Sequence, residues 1–147
     1  MRAALVTGAA GFIGSHLTER LLTAGWRVTG LDSFDSFYAP ETKRKNLHAC
    51  VTHERFRLVE GDIRDPKAVS EACGEGVDVI VHLAARAGVR PSIEDPLLYQ
   101  DVNVNGTCVM LEAARQHKVK KFVFASSSSV YGNNENVPFS ATDHVDH

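Results

Sequence analysis

Three glycines near the start of the chain, each three residues after the last, constrain the fold more than any other feature. Gly8, Gly11 and Gly14 follow the apolar run at residues 3–6 and open the segment 12–24, whose apolar residues recur at helical spacing. Gly8 permits a tight turn without a Cβ clash, and Gly14 lets the helix pack closely against the strand. The segment therefore predicts a strand, a tight turn and a helix in immediate succession.

The rest of the chain repeats this alternation of short apolar runs and longer helical patterns. The predicted strands are residues 3–6, 27–31, 56–59, 77–83 and 119–125, and the predicted helices are residues 12–24, 41–49, 66–73 and 96–116. Residues 84–94, and all residues from 126 onward, are predicted to be loop. This alternation indicates an α/β fold of Rossmann type, a doubly wound parallel sheet with right-handed crossovers. Because the glycine segment marks the crevice of such sheets, the expected strand order is 3-2-1-4-5.

Length, charge and cysteine spacing exclude several classes of function. The 147 residues fit one domain, and a net charge of −2 gives no reason to expect binding to nucleic acid or to a membrane surface. Cys50, Cys73 and Cys108 lie too far apart for a disulfide framework or a zinc site, so no metal is predicted and a reducing, cytoplasmic location is expected. No stretch approaches the roughly 20 apolar residues that span a bilayer.

The glycine segment also predicts a site for phosphate groups. Gly11 lets the backbone approach a pyrophosphate, and the unpaired N–H groups at the start of the helix stabilise its charge. The spacing is G-x-x-G-x-x-G, one residue longer in its first gap than the G-x-G-x-x-G fingerprint of dinucleotide sites. Its position between a strand and a helix favours a dinucleotide site over a purely structural turn.

Asp32, at the end of the second predicted strand, indicates which dinucleotide binds. A carboxylate at this position accepts hydrogen bonds from both ribose hydroxyls and would repel a 2′-phosphate. Residues 33–39 contain no arginine or lysine that could receive such a phosphate. We therefore predict NAD(H) rather than NADP(H). The basic run that follows, Lys43, Arg44 and Lys45, is interpreted as a solvated helix face.

The ends of the third and fourth strands supply further candidates for the same crevice. Asp62 could accept a hydrogen bond from the amino group of adenine while Ile63 packs on the ring, although an aspartate of a turn or helix cap is an equal alternative. Ala84 and Ala85 follow the fourth strand, and their small side chains leave room for a dinucleotide to pass.

Polar residues farther along the chain suggest contacts with a substrate. Arg86 and Arg90 could meet an anionic substrate, with a plain surface loop as the alternative. The serine run at residues 126–129 lies at the end of the fifth strand, where hydroxyl groups can bind a substrate oxygen. Asn103 and Asn105 fall inside the long predicted helix, where Asn is unfavourable, so we expect one of them to hydrogen-bond to a neighbouring strand end.

Five segments of the chain together resemble the extended short-chain dehydrogenase/reductase family, in its branch of NAD-dependent epimerases and dehydratases. In chain order they are TGAAGFIGSHL, GDIRD, HLAARAGVRPSI, DVNVNGT and SSSSVYG. Within that branch the likeness is closest to nucleotide-sugar epimerases, especially UDP-glucuronate 4-epimerases. The resemblance extends over essentially all of the chain.

The resemblance implies a mechanism and a set of site residues. In this family a tightly held NAD⁺ removes hydride from C4 of the sugar, the 4-keto sugar rotates, and hydride returns to the opposite face. Ser127, four residues before Tyr131, matches the residue that binds the reacting hydroxyl, and Ser128, Ser129 and Arg90 would contact the UDP-sugar. The implied cofactor contacts are Gly8, Gly11, Phe12, Ile13, Gly14, Asp32, Ser33, Asp62, Ile63, Leu83, Ala84, Ala85 and Asn103.

The chain departs from the family pattern at the catalytic base, a tyrosine in a Tyr-x-x-x-Lys motif. None of the three tyrosines has a lysine four residues later: the pairs are Tyr38 and Thr42, Tyr99 and Asn103, and Tyr131 and Glu135. In this family the motif would follow shortly after residue 147, before a sixth strand and a C-terminal substrate domain. We therefore expect residues 1–147 to be an incomplete NAD-binding domain that does not epimerise a sugar alone. An exposed edge of the fifth strand is then expected to favour a homodimer.

Two other functions stay open at this point. One is a nucleotide-sugar 4,6-dehydratase or a UDP-glucuronate decarboxylase. Dehydratases usually carry Thr-Asp-Glu-type acid chemistry after the fifth strand, so the serine-only run favours an epimerase. The other is a non-catalytic NAD-binding module, for which the missing Tyr-x-x-x-Lys motif is the only support in the sequence.

Overall fold

A parallel five-stranded sheet organises the computed structural model, which describes residues 1–74, 76–135 and 137–145. Its strands are β1 (Ala3–Thr7), β2 (Arg27–Asp32), β3 (Phe56–Glu60), β4 (Val79–His82) and β5 (Lys121–Phe124). They lie in the order β3-β2-β1-β4-β5, which confirms the predicted doubly wound sheet and its strand order.

The strand that carries the glycine segment lies at the centre of the sheet. Thr7, the last residue of β1, is in register with Leu31 of β2 on one side and with His82 of β4 on the other. Because all these pairs are parallel, the loops after β2, β1 and β4 leave the sheet at the same edge. The chain passes from β1 to β2 on one side and from β3 to β4 on the other, which opens a crevice above β1.

Helices cover both faces of the sheet. They are α1 (Phe12–Thr23), α2 (Pro40–Asn46), α3 (His48–Val51), α4 (Pro66–Cys73), α5 (Val89–Glu94), α6 (Pro96–Gln100) and α7 (Gly106–Gln116), with a π-helical segment at Asp101–Asn105 between the last two. The helix predicted at residues 96–116 is therefore one helical stretch with a π segment inside it. Across the described ranges, no helix combines the length and apolar composition that a bilayer span requires.

Alternate residues of β1 bury two separate apolar clusters, one on each face of the sheet. Leu5 belongs to the cluster that includes Val69 of α4 and Met110 of α7, whereas Val6 belongs to the cluster that includes Leu22 of α1 and Cys50 of α3. Side chains of a strand point alternately to its two faces, so a strand covered on both faces must be apolar throughout. All five residues of β1 are accordingly buried.

Two segments predicted as loop contain short helices. α5 occupies residues 89–94 of the predicted loop. Proline is tolerated in the first turn of a helix because its missing N–H needs no partner there. Gly88, at φ +101°, turns the chain into this helix. After β5, residues Ser128–Tyr131 form a 3₁₀ turn rather than plain loop.

Strand β5 lies at the edge of the sheet and pairs only with β4 in the part of the chain that the structure describes. The side chains of Val123 and Phe124 are about half exposed, at 51% and 56%. The expected apolar surface at the fifth strand is therefore present. The homodimer inferred from it stays a prediction.

Candidate cofactor-binding site

The glycine segment forms a close turn at the carboxyl end of β1, as predicted. A Cβ atom on Gly8, whose φ is +67°, would lie 2.9 Å from the backbone nitrogen of Ala84. A Cβ on Gly14 would overlap the carbonyl oxygen of Gly8. Gly11 is the N-terminal cap residue of α1, and as a glycine it has no side chain that could hydrogen-bond to the helix. The N–H groups in the first turn of α1 are therefore not bonded to a capping side chain, and a phosphate group can accept hydrogen bonds from them.

Asp32 is buried beside this turn, and its carboxylate is fixed by backbone groups. Oδ2 accepts a hydrogen bond from the backbone N–H of Ala10 at 3.0 Å, and Oδ1 accepts one from the backbone N–H of Phe34 at 2.8 Å. These bonds tie the end of β2 to the glycine segment. They hold the carboxylate at the position where the sequence predicts a ribose.

Lys43 contacts Asp32, which the sequence did not predict. Its Nζ lies 3.5 Å from Oδ1 of Asp32, and its side chain is only 10% exposed. The ammonium group also lies 5.2 Å from the centroid of the Tyr38 ring. The interpretation of the basic run as a solvated helix face is therefore wrong for Lys43, although Arg44 and Lys45 are exposed as expected.

A helical pattern in the sequence could have revealed the burial of Lys43. Lys43, Leu47 and Cys50 are spaced by four and three residues, so a helical chain places them on one face, and all three are buried. Residues 33–39 contain no basic residue, but α2 brings Lys43 back to the end of β2.

A cleft with a volume of about 140 Å³ lies at this edge of the sheet. The structure brings together in it most of the predicted cofactor residues, namely Gly8, Gly11, Asp32, Ser33, Asp62, Ile63, Leu83, Ala84 and Ala85. Phe12, Ile13 and Gly14, at the start of α1, do not belong to the lining. The lining also contains residues that the sequence had not assigned to this site, among them Asp35, Phe37, Tyr38, Lys43 and Arg64.

Asp62 has the contacts of a turn aspartate. Its Oδ1 accepts hydrogen bonds from the backbone N–H of Arg64 at 2.8 Å and from Nε of Arg64 at 3.0 Å. Arg64 also donates to Oδ2 of Asp62 and to Asp101, at 2.7 Å in both cases. The Arg64 guanidinium lowers the pKa of Asp62, mainly through these side-chain hydrogen bonds. The turn interpretation is thus borne out, and a contact with adenine stays a prediction.

A buried histidine fixes the end of β4 beside the glycine segment. The Thr7 hydroxyl oxygen accepts hydrogen bonds from the backbone N–H groups of Leu83 and Ala84, at 3.2 and 3.1 Å. Both of its lone pairs are then used, so the Thr7 hydroxyl donates its proton to Nδ1 of His82, 2.7 Å away. Nε2 of the neutral ring consequently donates to the Thr107 hydroxyl at 3.0 Å. Burial lowers the pKa of His82 to about 4.

Asn103 makes the predicted bond from the long helix to a strand end. Its Oδ1 accepts from the backbone N–H of Arg86 at 2.8 Å, and its Nδ2 donates to the Arg86 carbonyl oxygen at 3.0 Å. The Arg86 guanidinium in turn forms an ion pair with Asp35, at 2.9 Å from Nη1 to Oδ2. Asn103 acts on the loop after β4 rather than lining the cleft, and its role as a direct cofactor contact stays a prediction.

The serine run and Arg90 lie apart from this cleft. Ser127 caps the 3₁₀ turn after β5, where its Oγ accepts a hydrogen bond from the backbone N–H of Ser129 at 3.2 Å. Ser127, Ser128 and Ser129 are exposed at the same edge of the sheet, two strands away from β1. Arg90 is exposed on α5. Their roles toward a substrate stay predictions.

Comparison with known proteins identifies the family. Residues 4–147 match the model of the NAD dependent epimerase/dehydratase family. The chain belongs to this family. UDP-glucuronate 4-epimerase 1 of Arabidopsis thaliana is 42% identical over 148 residues, covering 97% of this chain and 33% of the relative. The chain spans between 33% and 44% of the length of the curated relatives that it matches.

Solved structures of epimerases and dehydratases have the same fold. The UDP-glucuronic acid 4-epimerase from Bacillus cereus in complex with UDP-glucuronic acid and NAD superposes with a TM-score of 0.80 at 37% identity, over 91% of this chain and 43% of that one. DesIV, a dTDP-glucose 4,6-dehydratase from Streptomyces venezuelae with NAD bound, gives a TM-score of 0.81 at 36% identity, over 91% and 42%. The cofactor of the epimerase/dehydratase family agrees with the cofactor predicted from the glycine segment and Asp32.

Proposed function

We propose that this chain is the NAD-binding part of a nucleotide-sugar 4-epimerase that acts on UDP-glucuronate or a related UDP-sugar. The observation that carries the proposal is the buried Asp32 carboxylate, fixed by two backbone N–H groups beside the glycine segment. The residues present fit a dinucleotide. A Cβ atom on either Gly8 or Gly14 would fill the turn, so the backbone itself forms the cradle.

Each part of the cleft has a separate task in this proposal. The first turn of α1 and Gly11 bind the pyrophosphate through N–H groups, and Asp32 accepts hydrogen bonds from the adenosine ribose. Ile63, beside the end of β3, packs against adenine. NAD, when bound, supplies the hydride acceptor for C4 of the sugar. The hydroxyl groups of Ser127, Ser128 and Ser129 orient the sugar, and Arg90 contacts its anionic part.

A nucleotide-sugar 4,6-dehydratase is the second candidate, supported by the likeness to the dehydratase from Streptomyces venezuelae. The serine-only run at residues 126–129 favours an epimerase over it. The similarity to the UDP-glucuronate 4-epimerase of Arabidopsis thaliana gives further support to the epimerase. We also propose that the 147 residues alone do not turn over a sugar, because none of their tyrosines begins a Tyr-x-x-x-Lys motif.

Calorimetric titration with NAD⁺ and NADP⁺ tests the cofactor assignment. The chain should bind NAD⁺ more tightly, and Asp32→Asn should weaken NAD⁺ binding about tenfold because a buried carboxylate loses its charge-assisted bonds to the ribose. Asp65→Asn is the matched control, since Asp65 caps α4 away from the cleft lining. Tighter binding of NADP⁺ would contradict the assignment, and so would an equal loss in both variants.

Proton NMR with UDP-glucuronate and NAD⁺ tests the proposed inactivity of the 147-residue chain alone. We expect the sugar to remain unchanged in the presence of the 147-residue chain. Formation of the 4-epimer would contradict the proposed inactivity of the chain alone. In a parallel sample with dTDP-glucose, formation of a 4-keto-6-deoxy sugar would contradict the proposed inactivity and favour the dehydratase.

A further inference from the structure

An ion pair crosses the mouth of the cleft. Nη1 of Arg86, in the loop after β4, lies 2.9 Å from Oδ2 of Asp35, in the loop after β2. Strand β1 lies between β2 and β4 in the sheet, so a link between these two loops passes above the glycine segment. Both ion-pair residues line the cleft together with Gly11, so a dinucleotide bound there with its pyrophosphate at Gly11 would lie beneath this crossing.

The loop after β2 is folded toward the glycine segment. The Tyr38 hydroxyl lies 3.5 Å from the point that a Cβ atom on Gly11 would occupy. Phe34, at the base of this loop, has φ +51°, a left-handed conformation that is unfavourable for a side chain of its size. The Asp35 carboxylate follows directly after Phe34 in this loop and forms the ion pair with Arg86.

Both partners of the ion pair are held in place by other contacts within the chain. Asn103 forms two hydrogen bonds with the backbone of Arg86. The Tyr99 hydroxyl donates a hydrogen bond to the carbonyl oxygen of Ala87 at 2.6 Å. The Arg86 guanidinium lies between the rings of Phe37 and Tyr99, at 5.5 and 5.7 Å from their centroids. Oδ1 of Asp35 accepts a hydrogen bond from the backbone N–H of Phe37 at 2.9 Å.

We propose that the ion pair between Asp35 and Arg86 is a latch that closes over the bound dinucleotide and slows its release. The inference rests on the proposed cofactor function of the cleft. The guanidinium is directed at a carboxylate that is itself fixed, and its side chain is only 20% exposed. Release of a ligand from beneath the crossing requires this pair to separate. The pair therefore acts on the dissociation rate, without a direct bond to the pyrophosphate.

Dissociation of NADH from the 147-residue chain tests the latch. The protein is loaded with NADH and mixed with excess NAD⁺ in a stopped-flow instrument, and the loss of bound-NADH fluorescence gives the rate. Asp35→Asn and Arg86→Gln should each speed dissociation about three- to tenfold, as expected for a partly exposed, charge-assisted pair. The double variant should be no faster than either single variant, and the charge swap Asp35→Arg with Arg86→Asp should restore slow release.

Two controls separate the latch from other effects. Glu71→Gln breaks the exposed ion pair between Arg57 and Glu71, at 2.7 Å, whose residues lie outside the cleft lining, and should leave the rate unchanged. Thermal unfolding of each variant checks that the fold is retained.

Three outcomes would overturn the latch. An unchanged rate in Asp35→Asn would exclude it while leaving NAD binding intact. Slower release in Asp35→Asn together with faster release in Arg86→Gln would show that Arg86 contacts the pyrophosphate directly. Absence of NADH binding to the unaltered chain would refute the proposed function itself, and the latch with it.

Discussion

The buried His82 of β4 hydrogen-bonds to Thr7 of β1 and to Thr107 of α7. Its lowered pKa predicts how the stability of the fold depends on pH. Burial lowers its pKa to about 4, whereas an unfolded histidine has a pKa of about 6.5. Below pH 6.5 the unfolded state therefore binds a proton that the folded state does not. The free energy of unfolding should therefore fall as the pH drops from about 6.5 to about 4. The total loss from this group should reach about 3 kcal/mol near pH 4.

Urea unfolding at pH 7 and pH 5 measures this dependence. His82→Phe should weaken the fold at pH 7, because it leaves the Thr7 and Thr107 hydroxyls without their partner, yet it should lose less stability than the unaltered chain between the two pH values. His48→Gln, on the exposed surface of α3, is the control and should keep the original dependence. Equal dependence on pH in the unaltered chain and His82→Phe would contradict the assignment.

The π-helical segment shows how one element positions another. Asn103 and Asn105 lie two residues apart in it, but only Asn103 is directed at the loop after β4. Asn103→Ala should cost about 1–3 kcal/mol of stability, because a half-buried N–H and carbonyl of Arg86 lose their partners. It should also speed hydrogen exchange at the Arg86 amide.

The neighbouring asparagine provides a matched control for that change. Asn105 is exposed and bonds only within its own helical stretch, to Gln100 and Asp101. Asn105→Ala should therefore cost no more than about 0.5 kcal/mol and leave exchange at Arg86 unchanged. Similar effects of the two substitutions on the Arg86 amide would show that the π segment does not act through Asn103.

The elements and the glycine turn could be predicted from the sequence because each depends on local pattern. Short apolar runs identified the strands, helical spacing identified the helices, and the position of Gly8 between a strand and a helix identified the turn. The spacing of Lys43, Leu47 and Cys50 indicates that Lys43 is buried, but the contacts of Lys43 with Asp32 and of Asp35 with Arg86 could not be predicted in the same way. Each depends on where a loop or short helix returns to the sheet, which residue spacing within one element does not record. Helix α5 was missed for a related reason, since Gly88 and Pro91 favour both a loop and a helix start.

At the scale of the whole molecule, the edge strand β5 predicts self-association. An edge strand presents unpaired N–H and carbonyl groups to any neighbouring chain, and natural edge strands commonly carry lysine to prevent such pairing. In β5 the only lysine is the first residue, and the apolar Val123 and Phe124 at its other end are about half exposed. We therefore expect the 147-residue chain to form dimers or larger species at high concentration.

Light scattering across a concentration series tests this expectation with two valine substitutions. Val123→Lys should shift the chain toward monomer, because a charge on the edge strand opposes both strand pairing and apolar contact. Val51→Lys is the matched control, since Val51 on α3 has the same 51% exposure as Val123 but lies away from the sheet edge. If burial of exposed apolar surface in general drove association, both variants would reduce it equally. A loss confined to Val123→Lys locates the association at β5, and a monomeric unaltered chain at every concentration would exclude it.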